Sequence, residues 1–465
     1  MKHQSRELEL KVELSEADAA RLLNEPPASK ATAGSASAQK LRTVYFDTPD
    51  FDLRTAGIAL RIRWQDKGRL QTVKAERRLS NGLSDAVEHE CAIESDMPDL
   101  AKVGDKKLRR HLQKLTKGTG LRPVFESIVH RKTRQLEFDG SQIELAIDEG
   151  EVKANGSSRQ LREAELELKS GKPSALLAAA ETLFAGHELK LSTKTKADRG
   201  YHLILGKSQS APKSKPAPRD ITQKDSCAQA FAAILSSTIE QVVKNRQLVL
   251  ETDDPKAVHE LRVGLRRLRC ALRALRPLIK SPSLREFERL ARDTTRNVAP
   301  LRDADVLTSA IVAPVEAAAG GRVNFSELNA GLAEYRKRKQ NEARAALHGA
   351  SWTHMQLYLT LWPSTLAEAE GGNQPISSYA PAILQKTWRK IVRYARKLDK
   401  LDAESRHEMR KLLKELRYLS EFFMPLFKKR ANCAKPFSTS RICRASASAL
   451  THFWATKRAG RSTTT

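Results

Sequence analysis

Long apolar runs are missing from this 465-residue chain. No stretch approaches the ~20 residues of a membrane-spanning helix, and the opening MKHQSRELEL lacks the apolar core of a secretory signal. Neither membrane insertion nor secretion is expected. Cysteine is scarce as well. The five (Cys91, Cys227, Cys270, Cys433, Cys443) are odd in number, scattered and without a C-x-x-C pair. That argues against a disulfide scaffold and a zinc site, and fits a reducing, cytoplasmic compartment. Aromatic residues make up only 5%, which leaves little for base stacking, and no sequence-specific nucleic-acid signature is present. A Walker loop and a Ser-His-Asp arrangement are also absent. Acidic residues are in deficit: 55 Asp and Glu stand against 82 Lys and Arg, for a net charge of +27. Such a chain attracts polyanions, and its length predicts two or three domains.

The chain changes character near residue 206. Before it, short segments alternate with period two: TVYFDT, IALRIRW, LQTVKA, AVEHECAI, QIELAID and EAELELK, separated by Gly, Asp, Asn and Ser turns. These predict strands, and SALLAAAETLFAGHELK predicts a helix. Residues 206–221 are rich in Pro, Ser and Lys and read as a linker. From 222 to 430 the period becomes helical, predicting an all-α bundle. The first half is expected to close into an antiparallel barrel with covering helices, making the whole an α+β multidomain protein.

The strand half carries charge in rows. ELELK sets Glu7, Glu9 and Lys11 on one strand face; LRIR does so for Arg61 and Arg63; EHE for Glu88 and Glu90; EAELELK for Glu163, Glu165 and Glu167. A solvated face would mix Ser, Thr and Gln among its charges. Adjacent carboxylates repel unless a cation neutralises them, and oxygen ligands suit Mg²⁺ or Mn²⁺. Arg and Lys rows suit phosphates.

With YFDT (45–48), TVK (72–74), ELAIDEG (144–150) and TKADRGY (195–201) in order, residues 1–205 resemble the CYTH superfamily of triphosphate tunnel metalloenzymes. The resemblance implies an eight-stranded barrel that hydrolyses a triphosphate with divalent metal. It implies that Lys11, Arg61, Arg63, Lys74, Arg131 and Lys196 grip phosphates, and that Glu7, Glu9, Asp148, Glu165 and Glu167 hold Mg²⁺ or Mn²⁺. Glu7, Glu9, Lys11, Glu88 and Glu90 are then the candidate catalytic positions, and Arg199 a structural one. Thr195 stands where the family usually has Ser.

The helical half repeats itself. His259, Arg262, Arg266 and Arg269 advance by 3, 4 and 3, as do His407, Arg410, Lys414 and Arg417, displaced by 148 residues. Each set forms one helical stripe beside a leucine stripe. VHELRVGLRRLR, LRDADVL and RHEMRKLLKELRYLSEFF resemble the CHAD domain. That implies a two-repeat helical bundle binding inorganic polyphosphate on these eight residues, with Arg302 and Asp303 pinning helices. Residues 431–465 lack the family's closing helix pattern and are expected to form an atypical tail whose last helix is missing or disordered.

The leading expectation is an inorganic triphosphatase that converts tripolyphosphate to pyrophosphate and phosphate, tethered to polyphosphate or its granules. The alternatives are a non-catalytic polyphosphate-binding protein, and an enzyme acting on an organic triphosphate such as thiamine triphosphate or ATP. Oligomeric state is not readable from the sequence.

Overall fold

The computed structural model describes residues 6–24, 37–65, 68–80, 83–184, 187, 190–192, 194–206 and 221–427. It divides into two units: Met1–Ala217 with His348–Thr365, and Pro218–Leu347 with Leu366–Thr465. The expected tail, 431–465, lies outside the described residues. Among them, no helix is long and apolar enough to cross a membrane.

The first unit is the barrel. Its strands are β1 (Arg6–Glu13), β2 (Ser37–Asp47), β3 (Ala59–Gln65), β4 (Gly68–Ser80), β5 (Leu83–Ile93), β6 (Arg122–Phe138), β7 (Ser141–Ala154) and β8 (Ser157–Ser170), with a two-residue β9 (Lys190–Leu191) added beside β1. The order β5-β4-β3-β2-β6-β7-β8-β1 is antiparallel throughout, and β1 pairs back onto β5 through Arg6–Leu10, closing an eight-stranded ring. Closure removes exposed edges. The turns after β6 and β7 are Asp139-Gly140 and Asn155-Gly156, all four at positive φ, as two-residue hairpin turns of matching twist require.

Because side chains alternate, each strand gives one face to the interior and one outward. Val44, Leu60, Ile62 and Val73 face out and are buried beneath Leu112 of α3 (Lys106–Leu115). Helix α1 (Glu16–Asn24) and the short α2 (Asp52–Thr55) join the strands, and α4 (Pro173–Phe184) packs on β6 and β8. Helix α5 (Lys196–Leu205) lies at one end of the barrel. There Ala197 and Tyr201 join Tyr45, Ala59, Phe125 and Val152 in a buried cluster.

The second unit begins with α6 (Cys227–Glu251), α7 (Pro255–Leu275), α8 (Pro282–Asn297) and α9 (Ala299–Val306). A π-helical turn (Leu307–Val312) then leads into α10 (Ala313–Ala319) and α11 (Ser326–Ala346). Helix α12 (Gly349–Leu361) falls in the first unit and packs on α4. Thr353 Oγ1 donates to the His187 carbonyl at 2.6 Å, and His354 Nε2 lies 2.7 Å from Glu181. Residues 348–365, inside the helical stretch expected at 222–430, group with the first unit. The chain returns in α13 (Ile376–Ala395) and α14 (Ala403–Phe423). The predicted repeat is visible as two hairpins, α6–α7 and α13–α14. Their starts are stitched together by backbone bonds, Cys227 N–H to Gln374 O (2.8 Å) and Ile376 N–H to Asp225 O (3.0 Å). Leu261, Leu265, Leu268, Leu272 and Leu275 of α7 are fully buried, as are Leu416, Leu419 and Phe423 of α14. The 148-residue echo extends to the N-caps, Asp254 and Asp402, which accept from Lys256 N–H and Ser405 N–H.

At Gly200 the backbone of α5 approaches Phe125 so closely that an added Cβ would sit 2.2 Å from the ring. A Gly200→Ala variant is expected to lose ~1–3 kcal/mol of stability from this overpacking, despite alanine's higher helix propensity. Urea denaturation of the full chain measures it. An unchanged or raised midpoint would contradict the close-packed contact.

Candidate active site

The interior faces of β1, β6, β7 and β8, with the start of α5, converge on one carboxylate. Register sets Lys11 opposite Glu165, Asp148 opposite Glu163, and Arg131 opposite Asp148. Lys11 Nζ reaches Glu165 Oε1 at 2.5 Å and Glu9 at 2.8 Å. Arg131 makes a two-pronged pair with Asp148, both bonds 2.7 Å, and extends Nη2 to Glu165 at 2.5 Å. Lys196 Nζ lies 2.5, 2.8 and 2.7 Å from Glu163, Glu165 and Asp148. Glu9, Lys11, Asp148, Glu163 and Glu165 are all buried.

Burial alone would neutralise such groups, and here opposite charge overrides it. It resists ionisation of Glu165, yet Lys11, Lys196 and Arg131 hold its pKa well below the ordinary carboxylate range. Asp148 is lowered by Lys196 and Arg131. Lys11 and Lys196 are raised against the same desolvation, Lys11 chiefly by Glu165 and Glu9, Lys196 by Asp148, Glu163 and Glu165.

A second group lies on β3, β4 and β5. Glu88 is 3.5 Å from Arg61 and 3.4 Å from Lys74. Glu90 is exposed and accepts from Thr72 Oγ1 at 3.0 Å. Arg63 is different. Its Nε is buried without a hydrogen-bond partner, and no carboxylate pairs with it among the described residues. Burial, with Arg61 and Arg131 alongside, pushes its guanidinium down to about 10. A cavity of about 50 Å³ is lined by Glu9, Lys11, Tyr45, Arg61, Lys74, Glu165 and Lys196.

Of the expected metal-holding residues, Asp148 and Glu165 belong to a group whose oxygens lie within 4.8 Å of one another; its third member is Glu163. Glu163 sits in the acidic row of β8 but not in the ligand set implied by the family resemblance. Its Oε2 is buried with no hydrogen-bond partner, and Arg199 Nη2 is 3.9 Å away. An all-oxygen, anionic donor set with one unsatisfied lone-pair oxygen fits a hard divalent cation. Glu9 contacts the cluster through Lys11. Glu167 is held by Lys169 at 2.6 Å, and the side chain of Glu7 lies outside the described residues.

The TKADRGY segment positions Lys196. Thr195 caps α5 reciprocally with Asp198, bonds that a serine hydroxyl would also make. Arg199 donates to Glu13 at 2.9 Å and Ser192 at 3.2 Å, the structural role expected of it. Tyr201 O–H donates to buried Asp47 at 2.6 Å, and Asp47 also accepts from the backbone of Leu53 and Arg54.

In the helical unit, Arg262, Arg266, Arg410 and Arg417 surround Lys414. Partial burial and these four cations push its ammonium down. Arg262 donates to Asp303 at 3.3 Å and to the Ala299 carbonyl at 3.1 Å, so Asp303 does pin helices. Arg417 is 3.5 Å from Glu421. Arg266, Arg410 and Lys414 have no carboxylate partner among the described residues. Arg269 keeps different company, with Arg273, Arg292 and Glu288. His259 is half-buried on α7 and His407 exposed on α14.

These shifts fix a pH window for the barrel. A carboxyl whose folded pKa is depressed contributes stability above its unfolded value and loses it as pH falls; a raised lysine contributes below its unfolded value and loses it as pH rises. Glu165 and Asp148 therefore fail below about pH 4, and Lys11 and Lys196 above about pH 10.5. The barrel's urea midpoint should be flat between and fall on both sides. Glu165→Gln, leaving three cations facing a neutral amide, should cost ~3–5 kcal/mol near pH 7. A midpoint that Glu165→Gln leaves unchanged would contradict the central role of this carboxylate.

Residues 5–201 match the CYTH domain and residues 233–438 the CHAD domain. Over 170 residues, 36% of this chain, the sequence is 32% identical to an inorganic triphosphatase of Haemophilus influenzae; 47% of that protein is covered, so the match spans about half its length. Similar solved structures include the CHAD domain of Ricinus communis (26% identical, TM-score 0.41, covering 49% of this chain and 73% of that one). Another is a Hippeastrum candidate adenylyl cyclase with a dominant triphosphatase activity (19% identical, TM-score 0.31, 41% and 93%). The chain thus joins a CYTH domain to a CHAD domain in one polypeptide.

Proposed function

We propose that the barrel hydrolyses inorganic triphosphate to pyrophosphate and phosphate, and that the helical domain binds longer polyphosphate. The observation that carries the reading is cationic excess beside a carboxylate site: Arg63, with no carboxylate at salt-bridge distance among the described residues, shares the interior with Arg61, Lys74, Lys11, Arg131 and Lys196. A guanidinium with a buried, unbonded Nε is costly, and a phosphate chain would supply acceptors through paired N–H···O bonds. The small cavity means that substrate enters by exchange: Lys11, Lys74 and Lys196 trade carboxylate partners for phosphate oxygens.

Asp148, Glu163 and Glu165 would hold Mg²⁺ or Mn²⁺, with Glu9 beside them. Such an ion withdraws charge from the phosphoryl group and lowers the pKa of water. The protein's own part is to fix the chain in line and to set cations around the oxygens that gain charge as the bond breaks. No side-chain nucleophile is needed. Among the rivals, an organic triphosphate would need apolar or stacking contacts beside the cavity, where Tyr45, Ala59 and Ala197 stand among the charged residues. The Haemophilus relative's name supports the inorganic substrate for this chain.

For the helical domain, Arg266, Arg410 and Lys414 offer a row of cations with no carboxylate partner among the described residues. A polymer of phosphate releases counterions from such a row and would carry the enzyme to polyphosphate granules.

Phosphate release from tripolyphosphate by the full chain should require Mg²⁺ or Mn²⁺ and stop with EDTA. Glu9→Gln should lower kcat at least ~100-fold, the scale of losing one electrostatic contributor to the reaction. Arg266→Glu with Lys414→Glu should abolish retention on long polyphosphate and leave tripolyphosphate turnover intact. Absence of release with either metal would sink the hydrolase reading. Loss of turnover in the helical-domain variant would sink the division of labour.

A further inference from the structure

The arm formed by α9, the π turn, α10 and the returning α11 has an exposed face unlike the rest of the chain. Its base is pinned. Arg336 donates to Asp305 (2.8 Å) and to the Asp253 carbonyl (2.8 Å), and Arg344 reaches Asp253 at 3.0 Å. Farther out, Asn329 Nδ2 donates to both Glu316 oxygens at 3.1 Å. These ties match 305 with 336 and 316 with 329, so the two helical segments run antiparallel.

Along the arm, Leu307, Ile311 and Val315 are exposed on one segment, Leu328 and Tyr335 on the other, with Ile311 and Val315 both 55% accessible and the Tyr335 ring flanked by Arg338 and Lys339. Spacings of four and seven residues make each set a stripe. At ~100° per residue the Leu328–Tyr335 stripe lies a little over a quarter of a turn from the line where the segments touch, while the other stripe, which passes through the π turn, runs from about a quarter of a turn at Val315 to about half a turn at Leu307. Antiparallel direction then puts both on the same side of the arm. Between Asp305 and Arg322 only Glu316 is charged, in a chain that is 29% charged. A water-facing helix ordinarily carries a polar outer face. A contiguous apolar face on a soluble domain marks an interaction site.

We infer that this face is where two copies of the chain associate about a two-fold axis. Charge along α11 selects the partner. Glu327 and Glu334 lie toward its start, and Lys337 and Arg338 follow Tyr335. A second arm laid antiparallel on the first sets each acidic stretch against the partner's basic one, the self-complementarity a two-fold contact demands. The face is small. A segment of 14 residues is ~21 Å long and two helices ~20 Å wide, so ~400 Å² per copy, about half a standard partner surface. The dimer is therefore expected to be reversible, with a Kd in the micromolar range.

Sedimentation velocity of the full chain from about 1 to about 100 μM, a range bracketing micromolar association, should show monomer passing to dimer. Ile311→Glu, on an already exposed position, should hold the protein monomeric with an unchanged urea midpoint. Glu327→Lys should weaken the dimer about tenfold and Lys337→Glu in the same chain should restore it. A wild type that stays monomeric throughout would overturn the proposal. So would a dimer indifferent to Ile311→Glu, or dimerisation that appears only after residues 428–465 are removed, which would make that segment the occupant.

Discussion

Three cations closing on Glu165 are the interaction around which the barrel interior is organised. Lys11, Lys196 and Arg131 arrive from β1, α5 and β6, and all reach the same carboxylate at 2.5–2.8 Å. Each of these charges would be prohibitive alone in a buried setting. Together they hold one another ionised. That mutual dependence locks the register of β1 on β8, orients α5 across the barrel end, and fixes Asp148 and Glu163 beside Glu165. The cluster keeps its groups charged while dry, and its three carboxylates, Asp148, Glu163 and Glu165, are close enough together to hold a metal ion.

The surplus lies on the other wall. Arg63 has no carboxylate within salt-bridge distance among the described residues, and burial with Arg61 and Arg131 alongside lowers its pKa, more than Glu165 offsets. Under the proposed hydrolysis, phosphate oxygens would supply the hydrogen-bond partners that this guanidinium lacks. In the helical domain Lys414 sits among four arginines at a partly exposed site, where screening by water and salt makes the repulsion tolerable.

Much of this was legible in the sequence, and for definite reasons. Period-two alternation forces Glu9 and Lys11, Arg61 and Arg63, and Glu163 and Glu165 onto shared faces, and closure aims those faces at each other. The repeat at 148 residues announced that α7 and α14 are equivalent, and their juxtaposition about Lys414 follows from pairing the repeats. What was hidden depends on contacts between distant segments. Strand register, which sets Lys11 across from Glu165, is not written in either strand alone. The tie from Tyr201 to Asp47 spans 154 residues, and it is what makes TKADRGY a device for placing Lys196. Glu163 shares the row of Glu165, but its unsatisfied oxygen appears only once Arg199 is seen to turn toward Glu13. Residues 348–365 lie within the stretch of helical period from 222 to 430, and nothing in that period marks them as grouping with the barrel.

The central claim is that unneutralised cations inside the barrel bind triphosphate directly. The most direct test is calorimetric titration of tripolyphosphate in EDTA, comparing Arg63→Gln with the parent. Both proteins would carry Arg266→Glu and Lys414→Glu so that the helical domain does not contribute. The account predicts saturable binding without metal, weakened at least ~10-fold by the loss of the guanidinium. Equal affinity in the two proteins would contradict it.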